Sequence, residues 1–177
     1  MNIFYLHANP TLCAQQHVNK HVVKMIVEYA QLLSTTHRLL DGVETLGVSA
    51  AGRSVKRWQM PDERDGLLYH ATHGQHPSAL WTRHSGENYQ WLYQLFIAVL
   101  AEYTFRYEKI HATARLIKPL QSPPNHIVYQ GFNEPTPAMP DDYKVTGDTV
   151  QSYRNYYRGS KSHLFAWKNR PIPDWIS

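Results

Sequence analysis

The sequence predicts a mainly α-helical fold, a compact bundle of two long buried helices with shorter helices packed around them. Two observations carry this. Residues 12–40 and 88–109 each run without Gly or Pro and repeat apolar residues at helical spacing. The rest of the chain is punctuated by Gly and Pro, which cut it into short pieces and long irregular loops. Hydrophobic residues make up 42% of the 177, enough for one core, and no shift of composition marks a boundary. Residues 1–177 are therefore expected to form a single domain.

Taken in order, IFYLH (residues 3–7) is a short apolar run of the kind that can form a strand, closed by the turn signal Asn9-Pro10. The first long helix follows over 12–40 and ends at Asp41-Gly42. Residues 41–66 hold Gly42, Gly47, Gly52, Pro61 and Gly66 among scattered charges and read as a long loop. Pro77 opens a short helix through Ala79, Leu80 and Trp81. The second long helix spans 88–109, and a short helix covers 112–118. Pro119 to Pro140 reads as irregular. Asp148 caps a last helix over 149–158, which Gly159 is expected to stop.

Composition excludes several classes. No apolar run approaches the roughly 18 residues of a membrane span, so no membrane partner is expected. The amino-terminal residues MNIFYLHANP lack a basic lead and a cleavage site, so a secretory signal is not expected either. Cys13 is the only cysteine, which leaves no internal disulfide and fits the cytoplasm. A Gly-rich phosphate loop, a nucleophile elbow and an HExxH motif are all missing, so no cofactor is expected. His70, His73 and His76 recur every three residues, but no Cys or carboxylate at ligand spacing accompanies them, and no metal is expected there. The net charge of +4 sits at one end. Arg154, Arg158, Lys161, Lys168 and Arg170 face Asp174 alone, so residues 151–177 carry all of it and residues 1–150 sum to zero. A basic end on a neutral body suits a phosphate-bearing partner, and equally a solvated terminal helix.

The first long helix carries the candidate chemistry. At about 100° per residue, its Val, Met, Ile, Leu, Tyr and Ala side chains cover more than half the circumference. His17, Lys20, His21, Lys24, Glu28, Gln31 and Thr35 are confined to an arc of about 100°. Lys24 and Glu28, four residues apart, are also an ordinary surface pair. If the stripe lines a cleft, burial would lower a lysine pKa and raise that of Glu28, giving an amine nucleophile and a proton-transfer group. Upstream of the second helix, His76, Arg83, Asn88 and Trp91 set donors among flat rings. That mixture suits a nucleobase pocket or a capped aromatic core. In the tail, Arg154, Tyr157, Arg158 and Lys161 interleave rings with cations, as nucleic-acid surfaces do.

The strings KHVVKMIVEYAQLLSTTHR, HPSALWTRHSGENYQWL, EYTFRYEKIHA and YRNYYRGSKSHLFAWK resemble a family of uncharacterised proteins seen mainly in tailed bacteriophages. A second likeness is to the small pyrimidine-dimer DNA glycosylases of phages. It rests on His21 with Glu28 seven residues on, a His before a long apolar helix, and an aromatic, basic YxxYY end at Tyr153, Tyr156 and Tyr157 followed by Gly159. That resemblance implies a nearly all-helical fold and cleavage of an N-glycosidic bond, followed by strand scission at the abasic site. It also implies Glu28 as the catalytic carboxylate, with His21 beside it and an amine that attacks the sugar. The family uses a processed α-amine, whereas here Asn2 follows Met1. The amine is then that of Met1, Lys20 or Lys24, or the strand-scission step is absent and water is the nucleophile. His17, His76, Arg83, Asn88, Trp91, Arg154, Tyr157, Arg158 and Lys161 would bind duplex or damaged DNA. A phage-encoded protein of this kind would act in the host cytoplasm. Two alternatives stand beside it: an enzyme acting on a free nucleotide or modifying a base, and a non-catalytic DNA-binding accessory protein.

Overall fold

The computed structural model describes residues 1–176 and is mainly helical, with one small sheet. The described elements are α1 (Pro10–Gln16), α2 (Asn19–Asp41), β1 (Val43–Val48), β2 (Ser54–Gln59), α3 (Pro77–His84), α4 (Gly86–Tyr107) and α5 (Thr149–Ser160), with single 3-10 turns between them. Helices α2 and α4 pack on each other, with α1 against α4 and α3 against both long helices. No described helix is long and apolar enough to cross a membrane.

The run 12–40 is two helices, not one. Asn9 accepts from the Thr11 and Leu12 amides and Pro10 occupies the first turn, so α1 starts where a cap and a fixed φ favour it. It stops after about two turns, because His17 and Val18 are both extended. Neither Gly nor Pro causes this. The carbonyls that α1 leaves open are taken from outside: Arg106 donates to Gln15 O and His17 O, and Trp167 Nε1 donates to Gln16 O. Arg106 is fully buried and also donates to Glu102 Oε1 at 2.6 Å and Asn19 Oδ1 at 2.9 Å. Glu102 in turn accepts from Arg170 in the tail.

Residues 41–66 hold an antiparallel hairpin where the sequence suggests a loop. Val43 pairs with Gln59 and Val48 with Ser54, and Gly52 takes φ +75° in the turn. Its root is held by Arg38, whose buried guanidinium donates to the carbonyls of Trp58, Asp65, Leu68 and Tyr69 and to the Asp65 carboxylate. A Cβ at Gly42 would fall 3.2 Å from that of Trp58 and closer still to Arg38 O, so the turn out of α2 requires glycine.

The amino-terminal run corrects the expectation in the other direction. Ile3–Leu6 is buried but pairs with no described strand, and it turns at Tyr5, where Leu6 N donates to Phe4 O at 3.0 Å. Helix α3 begins at Pro77 with His76 Nδ1 accepting from Ser78 N. Ser85 ends α3 and caps α4 through the Glu87 amide. Helix α5 begins at Asp148 as expected but passes through Gly159, where a Cβ would run into the Tyr143 ring.

If Arg106 holds the α1–α2 break, Arg106→Leu leaves two carbonyls and one oxygen of Glu102 without their buried donor. The expected cost is about 3–5 kcal/mol, read as a fall in Tm of roughly 10 °C or more by calorimetry. A shift within 2 °C of wild type would show that the break holds without it.

Candidate active site at the amino terminus

Burial of the amino-terminal run sets the position of the chain's first atom. Ile3, Phe4, Tyr5 and Leu6 are 0–4% exposed. Phe4 stacks on His21 of α2 at 4.2 Å and meets the rings of Tyr153 and Tyr157 of α5 edge-on. Tyr5 leans on Trp91 of α4 at 4.9 Å. The carbonyls are tied as well: Phe4 O accepts from Cys13 Sγ and Leu6 O from Arg154 Nε. The run therefore lies in a slot between α2, α4 and α5.

This places the Met1 α-amine 4.0 Å from Glu28 Oε2, while Lys24 Nζ lies 3.1 Å from Oε1. The Met1 and Glu28 side chains are 5% and 15% exposed and Lys24 is 71% exposed. One carboxylate thus stands between the α-amine of a residue whose side chain is packed and a lysine amine that reaches solvent. His76, at the start of α3, closes the group. Its pKa is held below the ordinary imidazole value by burial first, then by the nearby α-ammonium and His73, against the opposing pull of Glu28. Since Nδ1 accepts from Ser78 N, the neutral ring carries its hydrogen on Nε2. Arg83 donates to Gly74 O and so braces the turn that presents His76.

The predicted stripe is a line along α2 that separate pieces of chain cover. His21 lies under Phe4 and Tyr157, Glu28 is paired with the Met1 amine, and Thr35 exchanges hydrogen bonds with Thr72. Val23, expected among the apolar majority, is exposed beside Lys24. His21 is not placed as a catalytic group. Tyr157 OH meets its Nδ1 at 2.6 Å, and burial, then His17, Lys161 and Lys24, push its pKa down to about 3. A ring held neutral under an aromatic stack supports the slot. His17 lies outside α2 and is fully buried. Its Nδ1 donates to Cys13 O, so Nε2 accepts from Tyr29 OH, and burial lowers its pKa to about 4. Lys20 is exposed and lines a shallow hollow with Asn19, Val23, Lys24 and Tyr107.

Several predicted binding residues are structural instead. Asn88 is buried, donating to Trp81 O and Asn133 Oδ1 and accepting from Asn133 N. Trp91 donates to Ala8 O and packs with Trp81 and Phe132. Tyr157 is fully buried. Arg154 lies over the Trp175 ring, and Arg158 donates to Trp175 O and Asn155 Oδ1, so both anchor the tail. Lys161 rests over Tyr156 at 4.7 Å, close enough to His21 to act on its ionisation. Lys24 and Lys161 are thus cations close to His21 at this end of α2, with Lys20 in the same hollow as Lys24. No group of three His, Cys, Asp or Glu side chains among the described residues could hold a metal ion.

Sequence reasoning missed Asn2. Its side-chain oxygen is buried and finds no hydrogen-bond partner among the described residues. No pattern signals this, because the slot is made by three helices distant in sequence. Compared with protein-family models, with curated proteins and with solved structures, the chain matches none of them.

Three histidines predict how stability responds to acid. Burial lowers His17, His21 and His37 to about 4, 3 and 4, whereas an unfolded chain binds protons at about 6.5. Below that value the unfolded state takes up protons that the folded state refuses, so stability is lost as pH falls from about 6.5 toward 4. Unfolding midpoints in urea should be level above pH 7.5 and decline below 6.5. Replacing His21 by Gln should make the decline shallower by one proton, about 1.4 kcal/mol per pH unit. An unchanged slope would mean that His21 is charged in the folded protein.

Proposed function

We propose that the protein is a DNA-acting enzyme that cleaves the N-glycosidic bond of a target nucleotide with an amine nucleophile, then breaks the strand at the resulting abasic site. The observation that carries this reading is the Met1 α-amine set against the Glu28 carboxylate at the end of a buried slot. An amine beside a carboxylate is a nucleophile with its own proton carrier. Its place at the end of the packed run, against a carboxylate only 15% exposed, favours Met1 over the exposed Lys24 and Lys20.

The nitrogen lone pair bonds the sugar C1′ while the C1′–N bond to the base breaks, and the base leaves with a proton. The C1′–O4′ bond then opens, O4′ takes a proton, and a protonated imine joins Met1 to the sugar. Loss of a C2′ proton expels the 3′ phosphate, and water hydrolyses the imine to return the amine. Glu28 is the group placed to carry protons to and from nitrogen and C2′. Lys24 and Lys161 supply positive charge on the same end of α2 for the flanking phosphates. The likeness of His21, Glu28 and the Tyr153-Tyr156-Tyr157 end to the phage pyrimidine-dimer glycosylases supports the same reaction.

The test is borohydride trapping with an abasic-site oligonucleotide. Wild-type protein should give a covalent adduct that peptide mass spectrometry maps to Met1. Glu28→Gln should slow its formation by about 10²- to 10⁴-fold. Lys24→Ala should still form it, and a short peptide added before Met1 should abolish it. An adduct on Lys24 would reassign the nucleophile, and no adduct from wild-type protein would remove the reading.

A further inference from the structure

The β1–β2 hairpin is the part of the molecule that the proposed reaction does not use. It is a lone two-stranded ribbon rooted on the body by Arg38 and Gly42, and a ribbon of this size is marginally stable by itself. One face of the ribbon is half-buried and the other is largely open. Glu44, Leu46 and Val48 share one face with Trp58, Lys56 and Ser54, and Val43, Thr45 and Gly47 share the other with Gln59, Arg57 and Val55. Leu46 is 80% and Val48 71% exposed. Three cations, Arg53, Lys56 and Arg57, stand on the ribbon against one carboxylate, Glu44, which pairs with Lys56 at 2.8 Å. Arg53 and Arg57 are therefore in excess.

We infer that this hairpin is a duplex-DNA-binding ribbon, with Leu46 and Val48 entering a groove and the excess positive charge of Arg53, at the turn, and Arg57, on the opposite face, drawing the ribbon to the phosphates. The inference rests on the reading of the protein as a DNA-acting enzyme and adds a second contact to it. Exposed apolar side chains among cations match the chemistry of a groove, where sugars and base edges are flanked by phosphates. A two-stranded ribbon also has the width that the major groove admits, about 12 Å.

Placement agrees. Glu28, Thr35, Leu39 and Gly42 follow one face of α2 at 100° per residue, so the reacting group and the root of the ribbon lie on the same side of one rigid helix. Fourteen residues at 1.5 Å each put them about 21 Å apart along it. That is roughly six base pairs of duplex, about half a helical turn. Segment 70–76 joins the two ends, with the Arg57 charge acting on His70 and the Met1 amine on His76.

The experiment compares wild type, Leu46→Ser/Val48→Ser and Arg53→Ser/Arg57→Ser. It measures binding of a 25-base-pair duplex carrying one abasic site, by fluorescence anisotropy across a salt series, and borohydride trapping on a short single-stranded abasic oligonucleotide. Both double variants should bind the duplex at least 10-fold more weakly, and the arginine pair should lower the slope of log K against log salt by about 2. Trapping on the short strand should be unchanged, which also shows that the variants are folded and active. Wild-type trapping with duplex affinities equal across the three proteins would overturn the ribbon alone. A wild-type protein that neither traps nor binds DNA would overturn the enzymatic reading and the ribbon together. A wild-type dimer by light scattering that the Leu46→Ser/Val48→Ser variant makes monomeric would assign the apolar face to a second copy of the chain and overturn the inference.

Discussion

The architecture depends on one buried cation. Taking a guanidinium out of water costs several kcal/mol, and Arg106 is tolerated at zero exposure because four acceptors meet its donors. Two of those acceptors are carbonyls that no helix could satisfy, since they belong to the end of α1 and the residue after it. The same side chain therefore offsets its own desolvation and lets the chain turn between α1 and α2. Through Glu102 and Arg170 the arrangement extends into the tail, so three regions distant in sequence share one electrostatic centre.

The turn at His17 matters because of what it leaves open. With α1 directed away from α2, the first six residues lie along α2 in place of a neighbouring helix, and their apolar side chains complete the core. Phe4 is the central contact, since it covers His21 and meets two tyrosines of α5. A terminus is usually the freest part of a chain. Here the two residues that precede the packed run have little room, and an amine that would otherwise sample solvent is kept beside a carboxylate. Such positioning lowers the entropic part of a bimolecular step.

What could be read from the sequence was what is local. The long helices announce themselves through i, i+3 and i+4 repeats, and the caps at Asn9, His76 and Asp148 lie beside the turns they close. The break at His17 could not be read, because its cause is an arginine some ninety residues away. The hairpin was hidden for the opposite reason: VETLGV and SVKRWQ mix charged, polar and apolar residues on each side, so neither shows a clean apolar alternation. IFYLH misled because burial on several sides and pairing in a sheet leave the same apolar signature. At the candidate site, spacing put Glu28 and His21 on one line of a helix, which was sound geometry. It could not say that an aromatic lid covers His21 while the amino-terminal residues reach Glu28. The binding list failed where donors with good hydrogen-bond inventories, Asn88 above all, are used up by the fold.

Cys13 gives this arrangement an internal witness. Its thiol is fully buried, donates to Phe4 O, and burial pushes its pKa up to about 12. In the closed molecule it is neither thiolate nor reachable, so alkylating reagents have nothing to attack. It becomes available only when the peptide carrying Phe4 lifts from its seat. As the single cysteine of the chain, it makes the rate of labelling a direct clock for how often the amino-terminal segment leaves the protein, with no engineered probe needed.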